Sequence, residues 1–202
     1  MSQVAGAPLA LPAGQLAQLQ AAYATPPRAY HHFGHVQAVL AHYAEVDAAL
    51  GWRQPRETYL AVLYHDAVYQ PGRGDNEARS AQLAQAAIAQ WWPDAGIDTA
   101  RVATLIELTA RHGQLGVDAV DAQAALFLDC DMAILGAEPA AFDAYDRAIA
   151  EEYRGVVPAW LYRRKRRAFL KTVLAQPRIF LSDWFHARYD AAARANLRRA
   201  IQ

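Results

Sequence analysis

Apolar residues recur at helical spacing along most of this chain, and runs in which β-branched residues alternate with polar ones are almost absent. A repeat of three to four residues places apolar side chains on one face of a helix, whereas a period of two indicates a strand. Alanine, the residue that favours helix most strongly, is also very abundant. The pattern therefore predicts an all-α fold.

Proline, glycine and capping residues divide this pattern into about eight to ten helices. No internal repeat or low-complexity linker interrupts the sequence, so we predict a single domain over 1–202, with a core at about 28–156 and C-terminal helices 157–202 packed on it. The predicted helices cover roughly 13–23, 33–50, Pro55 through His65–Asp66, Asp75 or Asn76 to Trp91, 98–112, 119–135, 139–154, 158–175 and 186–201.

Composition narrows the function classes. The chain has 202 residues, 54% of them hydrophobic and 20% charged, which is enough to bury a core. Its twenty acidic and twenty basic residues cancel, and this argues against nucleic-acid or membrane binding driven by bulk charge. We expect the basic run Tyr162–Arg167 to be a solvated helix face for the same reason.

Cysteine content and the N-terminal composition bear on the compartment. Cys130 is the single cysteine, so an intramolecular disulfide cannot form and nothing indicates an oxidising compartment. The N-terminal residues carry no basic n-region, and no apolar run approaches the length of a membrane span. We therefore expect a soluble cytoplasmic protein that does not bind membranes, and the sequence leaves room for a homodimer.

The pair His65–Asp66 lies at the polar edge of the apolar stretch LAVLYHDAVY. An imidazole and a carboxylate are costly to place beside a buried segment without a partner, and a metal ion satisfies both at once. Candidate co-ligands lie in two other segments. They are His31, His32 and His35 in YHHFGH, and Asp129 and Asp131 in LFLDCDMAIL.

Spacing allows these segments to meet. The 30 residues from His35 to His65 can form one helix, a turn and most of a second, antiparallel helix. The 65 residues from Asp66 to Asp131 allow two or three more helices. Two neutral imidazoles and two carboxylates would neutralise a divalent cation, and four protein ligands on an octahedral ion leave two positions for water or substrate oxygen.

The order His35, His65–Asp66, Asp131 resembles the HD superfamily of metal-dependent phosphohydrolases, and more closely an uncharacterised bacterial group of predicted HD phosphohydrolases. The resemblance implies an all-helical HD-type bundle and a divalent metal (Mn, Co, Ni, Fe, Mg or Zn) bound by those four side chains. The matching segments are RAYHHFGHVQAVL, LAVLYHDAVYQPGRGDNEARSA, TARHG, LFLDCDMAILG and AIAEEYRGV, which cover most of 28–156, and ANLRRAI fits as well.

Within this match, His35 is preferred as first ligand because Val39 follows it by four residues, as in the superfamily's first motif. His31 lies four residues earlier and could share a face with His35, so direct ligation and a helix-entry or supporting role both stay open. The group usually has an asparagine where His32 stands, and we expect no ligand role for it.

The downstream residues are assigned in the same way. Asp131 fits the superfamily's last aspartate because the apolar Met132 follows it directly. Asp129, two positions away, is expected to support a ligand or to cap a helix. His112 ends a predicted helix and could be an additional ligand, a phosphate contact or a favourable C-terminal cation.

The remaining candidates concern catalysis. A bound divalent metal lowers the pKa of a water ligand towards about 7 and polarises a phosphoryl oxygen. Asp66 is counted among the catalytic residues as well as among the ligands. Arg28 is the best candidate to stabilise and bind the phosphate, Arg111 a weaker one, and Tyr69 could line the cleft. Glu77 could be a general acid or base, or belong to an ordinary helix start.

The predicted function is hydrolysis of a phosphomonoester or nucleotide-like small molecule by metal-activated water. Two alternatives stay open. Additional histidines (His31, His112) suit a di-iron HD-type oxygenase, and the same fold could be a non-catalytic, metal-containing domain that senses a ligand or binds a partner.

Overall fold

The computed structural model describes residues 7–202, and this range is helical without any strand, which confirms the all-α prediction. Nine α-helices lie in the described range, in agreement with the expected number. They are α1 (Ala13–Ala24), α2 (Phe33–Leu50), α3 (Pro55–Tyr64), α4 (Asn76–Trp91), α5 (Thr99–Leu108), α6 (Ala122–Met132), α7 (Pro139–Glu152), α8 (Ala159–Ala175) and α9 (Asp183–Ala200).

The chain forms two compact units, Met1–Ala110 and Arg111–Gln202. Their boundary falls inside the segment 28–156 that was predicted to be the core. The single domain over 1–202 therefore stays a prediction.

In the first unit, α3 is the central element and packs against α2, α4 and α5. Its residues Leu60, Ala61 and Val62 are completely buried, as expected for an apolar run that contacts neighbours on several sides. Helix α2 ends at Gly51, whose positive φ of 73° lets its N–H reach the carbonyls of Val46 and Asp47.

The end of α3 differs from the prediction that a helix carries the His65–Asp66 pair. The helix ends at Tyr64, His65 is its C-cap, and Asp66 lies in the turn that follows. The N–H groups of His65 and Ala67 still bond locally, to the carbonyls of Ala61 and Tyr64, but tertiary contacts bind the rest of this turn. The N–H of Asp66 donates to the hydroxyl of Tyr23 at 3.3 Å, and Arg28 donates to the carbonyls of Asp66 and Ala67. Because Asp66 lies outside the helix, a helical backbone does not fix the direction of its side chain.

In the second unit, α9 packs against α8, α6 and the 3₁₀ turn Ala133–Gly136. A Cβ on Gly136 would lie 2.8 Å from the main-chain oxygen of Tyr189, so this close approach of α9 requires glycine. Helix α6 is buried along most of its length, from Gln123 to Cys130.

Several helix ends differ from the predicted ones for identifiable reasons. Helix α5 gives way after Leu108 to a 3₁₀ turn, Thr109–Arg111, where a helix to residue 112 was predicted. Helix α6 begins later than predicted because Asp121 accepts from the N–H groups of residues 123 and 124. Helix α9 begins earlier, because Ser182 caps it by accepting from the N–H of Phe185.

Between residues 7 and 202, no helix is both long and apolar enough to cross a membrane. The cytoplasmic localisation stays a prediction.

Candidate metal centre

Three of the four predicted ligands meet in the first unit, at the start of α2 and the end of α3. The Nε2 atoms of His35 and His65 are 3.1 Å apart. Oδ2 of Asp66 lies 3.2 Å from Nε2 of His65 and 3.5 Å from Nε2 of His35. Each side chain thus offers one potential ligand atom to the same small volume.

A hydrogen bond sets the tautomer of His65. Its Nδ1 lies 2.8 Å from the main-chain oxygen of Val62, and because a carbonyl only accepts, Nδ1 carries the proton. Nε2 is then the nitrogen that faces His35 and Asp66, and in the neutral ring it carries the lone pair. A carbonyl on the distal nitrogen is the usual support of a metal-binding histidine.

Burial makes this cluster energetically unfavourable when no cation balances the Asp66 carboxylate. The side chain of His65 is 1% exposed and that of Asp66 is 16% exposed. Burial alone would raise the pKa of Asp66, but the imidazoles of His65, His31 and His35 lower it well below its usual value. A buried carboxylate beside two imidazole nitrogens is a donor set that suits a divalent ion.

Arg28 binds main-chain carbonyls around this cluster. Its Nη1 donates to the carbonyls of Asp66 at 2.6 Å and His31 at 3.0 Å. Its Nη2 donates to those of Ala67 at 3.0 Å and Ala22 at 2.9 Å. The guanidinium thus ties the turn after α3 to the entry of α2, which is a positioning role. Its predicted contact with substrate stays a prediction.

The first turns of α4 hold the chain that follows the pair. Asn76 accepts from the N–H of Gln70 and donates to its carbonyl, both at 3.0 Å. Oγ of Ser80 accepts from the N–H of Val68 at 3.0 Å and donates to its carbonyl at 3.2 Å. Sequence analysis missed these two residues, although their spacing of four in DNEARS places both on one helix face.

The other upstream histidines flank the cluster without joining it. The ring of His31 lies 4.1 Å from that of Tyr69 and 5.9 Å from that of His35, measured between centroids. His32 is exposed and caps α2, since its Nδ1 accepts from the N–H of Gly34 at 2.9 Å. The exclusion of His32 from the ligand set stays a prediction.

Asp131, the fourth predicted ligand, belongs to the second unit. It lies at the end of α6 with its Oδ2 3.3 Å from Nδ1 of His112, and both side chains are largely buried. The structure therefore pairs two predicted site residues within one unit. Metal ligation by either residue stays a prediction.

Asp129 has a structural role on the same helix. Its carboxylate accepts from the N–H of Leu181 at 2.8 Å, and from the N–H and Oγ of Ser182 at 2.7 and 2.6 Å. Burial raises the pKa of Asp129 to about 6, although these hydrogen bonds favour the charged form. Asp129 thus fixes the start of α9, in line with the expected capping role.

The remaining candidates have less defined surroundings. Glu77 is half-buried in the first turn of α4 and makes no hydrogen bond or ion pair in the part of the chain that the structure describes. Arg111 is exposed in the 3₁₀ turn after α5. Their proposed contributions to catalysis and substrate binding stay predictions.

Comparisons of the chain with protein-family models, with curated proteins and with solved structures found no match. The resemblance to the HD superfamily therefore depends on the order and the flanks of the motifs alone.

Proposed function

We propose that this protein is a divalent-metal-dependent phosphohydrolase that acts on a phosphomonoester or nucleotide-like small molecule. One observation carries the proposal: the convergence of His35 Nε2, His65 Nε2 and Asp66 Oδ2, with the His65 lone pair directed into the cluster by its bond to Val62. The motif order that resembles the HD superfamily connects this cluster to phosphoester hydrolysis.

The metal, when bound, would supply an acidified water and a Lewis acid for the phosphoryl oxygen. The chain's own residues would do the rest. His35, His65 and Asp66 would hold the ion, and Asp131 is the predicted fourth ligand. Arg28 would keep the Asp66 turn in place, and Glu77 would move the proton between water and the leaving oxygen. Water oxygen would join phosphorus while the ester oxygen leaves as an alcohol.

A second function has a specific observation in its favour. Two histidines and one carboxylate with open coordination positions also form the ligand set of non-haem iron oxygenases. On this alternative, which includes the di-iron form considered above, the protein would hold iron and consume oxygen. The non-catalytic alternative would hold a metal without turning over any substrate.

The test combines elemental analysis of the purified protein with a phosphate-release screen. The substrates are p-nitrophenyl phosphate and the nucleoside monophosphates, each with added Mn, Co, Ni or Mg. We expect bound metal and phosphate release in the wild type, and the loss of both in His65→Ala. His42→Ala is the control, because His42 lies on α2, as His35 does, but pairs with Glu45 outside the cluster.

Each alternative has its own outcome in this screen. Bound iron with oxygen consumption and no phosphate release would support the oxygenase, and metal without turnover would support the non-catalytic domain. Metal and activity retained in a folded His65→Ala protein would refute the whole assignment.

A further inference from the structure

Helix α8 presents one continuous basic face that the metal cluster does not explain. Its sequence, AWLYRRKRRAFLKTVLA, contains six lysines and arginines and no acidic residue. The face consists of Trp160, Arg163, Arg164, Arg167 and Lys171, all of them exposed. The side chain of Trp160 is 61% exposed, more than any other large hydrophobic residue in the described range.

The charges of this face are not neutralised within the protein. In the described part of the chain, none of its four cations forms an ion pair or a hydrogen bond through its side chain. Arg166 of the same run shows the contrast. It turns inward, with its Nε 2.9 Å from Oδ1 of Asp146 and its guanidinium 5.0 Å from the ring of Tyr145. One arginine of the run is therefore structural, whereas the face itself is available to a partner.

Helix geometry aligns the five side chains. At about 100° per residue, positions 160, 163, 164, 167 and 171 fall within an arc of about 100° around the helix. At about 1.5 Å per residue they extend over about 17 Å, and successive cations from Arg164 to Lys171 are about 4.5 and 6 Å apart along the axis. Such a row of cations suits a row of phosphates along a strand.

We propose that the α8 face binds single-stranded nucleic acid. Arg163, Arg164, Arg167 and Lys171 contact successive phosphates, and the indole of Trp160 stacks on an unpaired base. Three of the four cations are arginines, whose planar fork binds phosphate oxygens in pairs. This inference goes beyond the proposed hydrolase function and does not depend on it.

Two observations favour this partner over other polyanions. Of the large aliphatic residues and phenylalanine in α8, Leu170 and Val173 are buried and Leu161, Phe169 and Leu174 are half-buried, so these residues form no exposed apolar band that could enter a lipid bilayer. Among residues 154–175 of the described chain, Val156 is the only large exposed apolar residue besides Trp160. A duplex keeps its bases stacked on each other, whereas a single strand offers a free base to Trp160.

The experiment measures the fluorescence anisotropy of labelled dT12 and of a 12-residue RNA with the full-length protein, from 50 to 200 mM KCl. Four phosphate contacts predict a slope of log K against log salt of about −3, and thus a loss in affinity of about fiftyfold over this range. Chelation of metal with EDTA should leave binding unchanged, which separates this result from the fate of the metal cluster.

Charge-matched variants locate the contact. Arg163→Gln/Arg167→Gln should weaken binding at least tenfold at low salt and make the slope shallower by about 1.4. The control Arg147→Gln/Arg198→Gln removes the same charge from exposed positions of α7 and α9 and should change little. Trp160→Ala should weaken binding about tenfold with the slope unchanged, and Trp160→Tyr should restore part of the loss.

Three results would overturn the proposal. They are no binding of either oligonucleotide at 50 mM KCl, equal losses in the two double variants, and binding only to vesicles of phosphatidylglycerol and phosphatidylcholine. Thermal unfolding of each variant checks that these exposed substitutions leave the fold intact.

Discussion

Asp66 in the first unit and Asp190 in the second are both largely buried carboxylates, yet their neighbours differ in kind. Asp190 accepts from the N–H of Ile179 at 2.8 Å and from Nε of Arg194 at 2.6 Å. Asp66 instead faces the Nε2 atoms of His35 and His65, which are donors when protonated and potential metal ligands when neutral. Fixed donors satisfy Asp190, whereas the groups around Asp66 can exchange a proton for a metal ion.

Two arginines extend the comparison. Arg194 donates to the carbonyls of Leu174, Gln176 and Pro177 while it pairs with Asp190. Arg28 donates to four main-chain carbonyls around the metal cluster, including that of Asp66. In both units an arginine thus binds several carbonyls beside a largely buried acid.

The largest effect should come from removing a ligand. We expect Asp66→Ala and His65→Ala to weaken Mn²⁺ binding at least a thousandfold, or about 4 kcal/mol, because each removes one of few ligands. Isothermal titration calorimetry of the metal-free proteins measures this loss. Asp190→Asn should bind Mn²⁺ as the wild type does, and a comparable loss in that variant would end the distinction between the two acids.

Metal should also stabilise the fold. At a free Mn²⁺ concentration 100 times the Kd, the free energy of unfolding should rise by about 2.7 kcal/mol in the wild type. The rise should be absent in His35→Ala and present in His42→Ala. Urea denaturation with and without Mn²⁺ provides the measurement, and equal stabilisation of His35→Ala would place the metal elsewhere.

The contribution of Asp190 to the free energy of unfolding should depend on pH. Burial would raise the pKa of Asp190, but the Ile179 N–H and Arg194, with His186, lower it overall. The stabilisation is therefore present above the unfolded pKa near 4 and is lost as the pH falls through the lower folded value. We expect Asp190→Asn to cost about 2 kcal/mol at pH 7, with the difference from wild type shrinking below pH 4.

Urea denaturation at several pH values checks this dependence. Asp183→Asn is the matched control, because Asp183 pairs with Arg178 while 98% of its side chain is exposed. Its effect should stay within about 0.5 kcal/mol. An Asp190→Asn effect independent of pH would mean that the charge of Asp190 does not contribute.

The smallest effect is expected for the positioning contacts of the metal cluster. Arg28→Lys keeps the charge but loses most of the fork that reaches four carbonyls, so Mn²⁺ affinity should fall about tenfold. Asn76→Ala, which releases Gln70, should act in the same direction. If Arg28→Lys abolishes phosphate release while Mn²⁺ affinity is unchanged, then Arg28 contacts substrate, as the sequence predicted.

Much of the fold could be predicted because local signals determine it. Pro55 and Gly51 mark helix ends that the structure reproduces, and the apolar spacing between them indicates helix without reference to distant residues. The end of α3 could not be predicted in this way. The carbonyls of Asp66 and Ala67, in the turn that follows, are bound by Arg28, 38 residues upstream of Asp66, and no local pattern predicts such a contact.

The residues of the candidate site show the same difference between signals that the local sequence carries and contacts that it does not. His35, His65 and Asp66 were found because a polar pair beside an apolar run demands an explanation and its co-ligands share its chemistry. Asn76 and Ser80 were missed because asparagine and serine at a helix start are common for local reasons. The expectation for the basic run of α8 used the net charge of the whole chain, which is zero and carries no information about the imbalance of charge on one helix.

The carbonyl contacts of Arg28 also bear on how quickly an ion could enter. They fix the turn that bears Asp66 through the protein's own hydrogen bonds, so the three donor atoms are arranged before any cation arrives. Uptake would then be limited by the shedding of the ion's hydration shell and not by chain rearrangement. Ions that release water readily should load fast, and Mg²⁺, which dehydrates reluctantly, should load slowly into the same folded apoprotein.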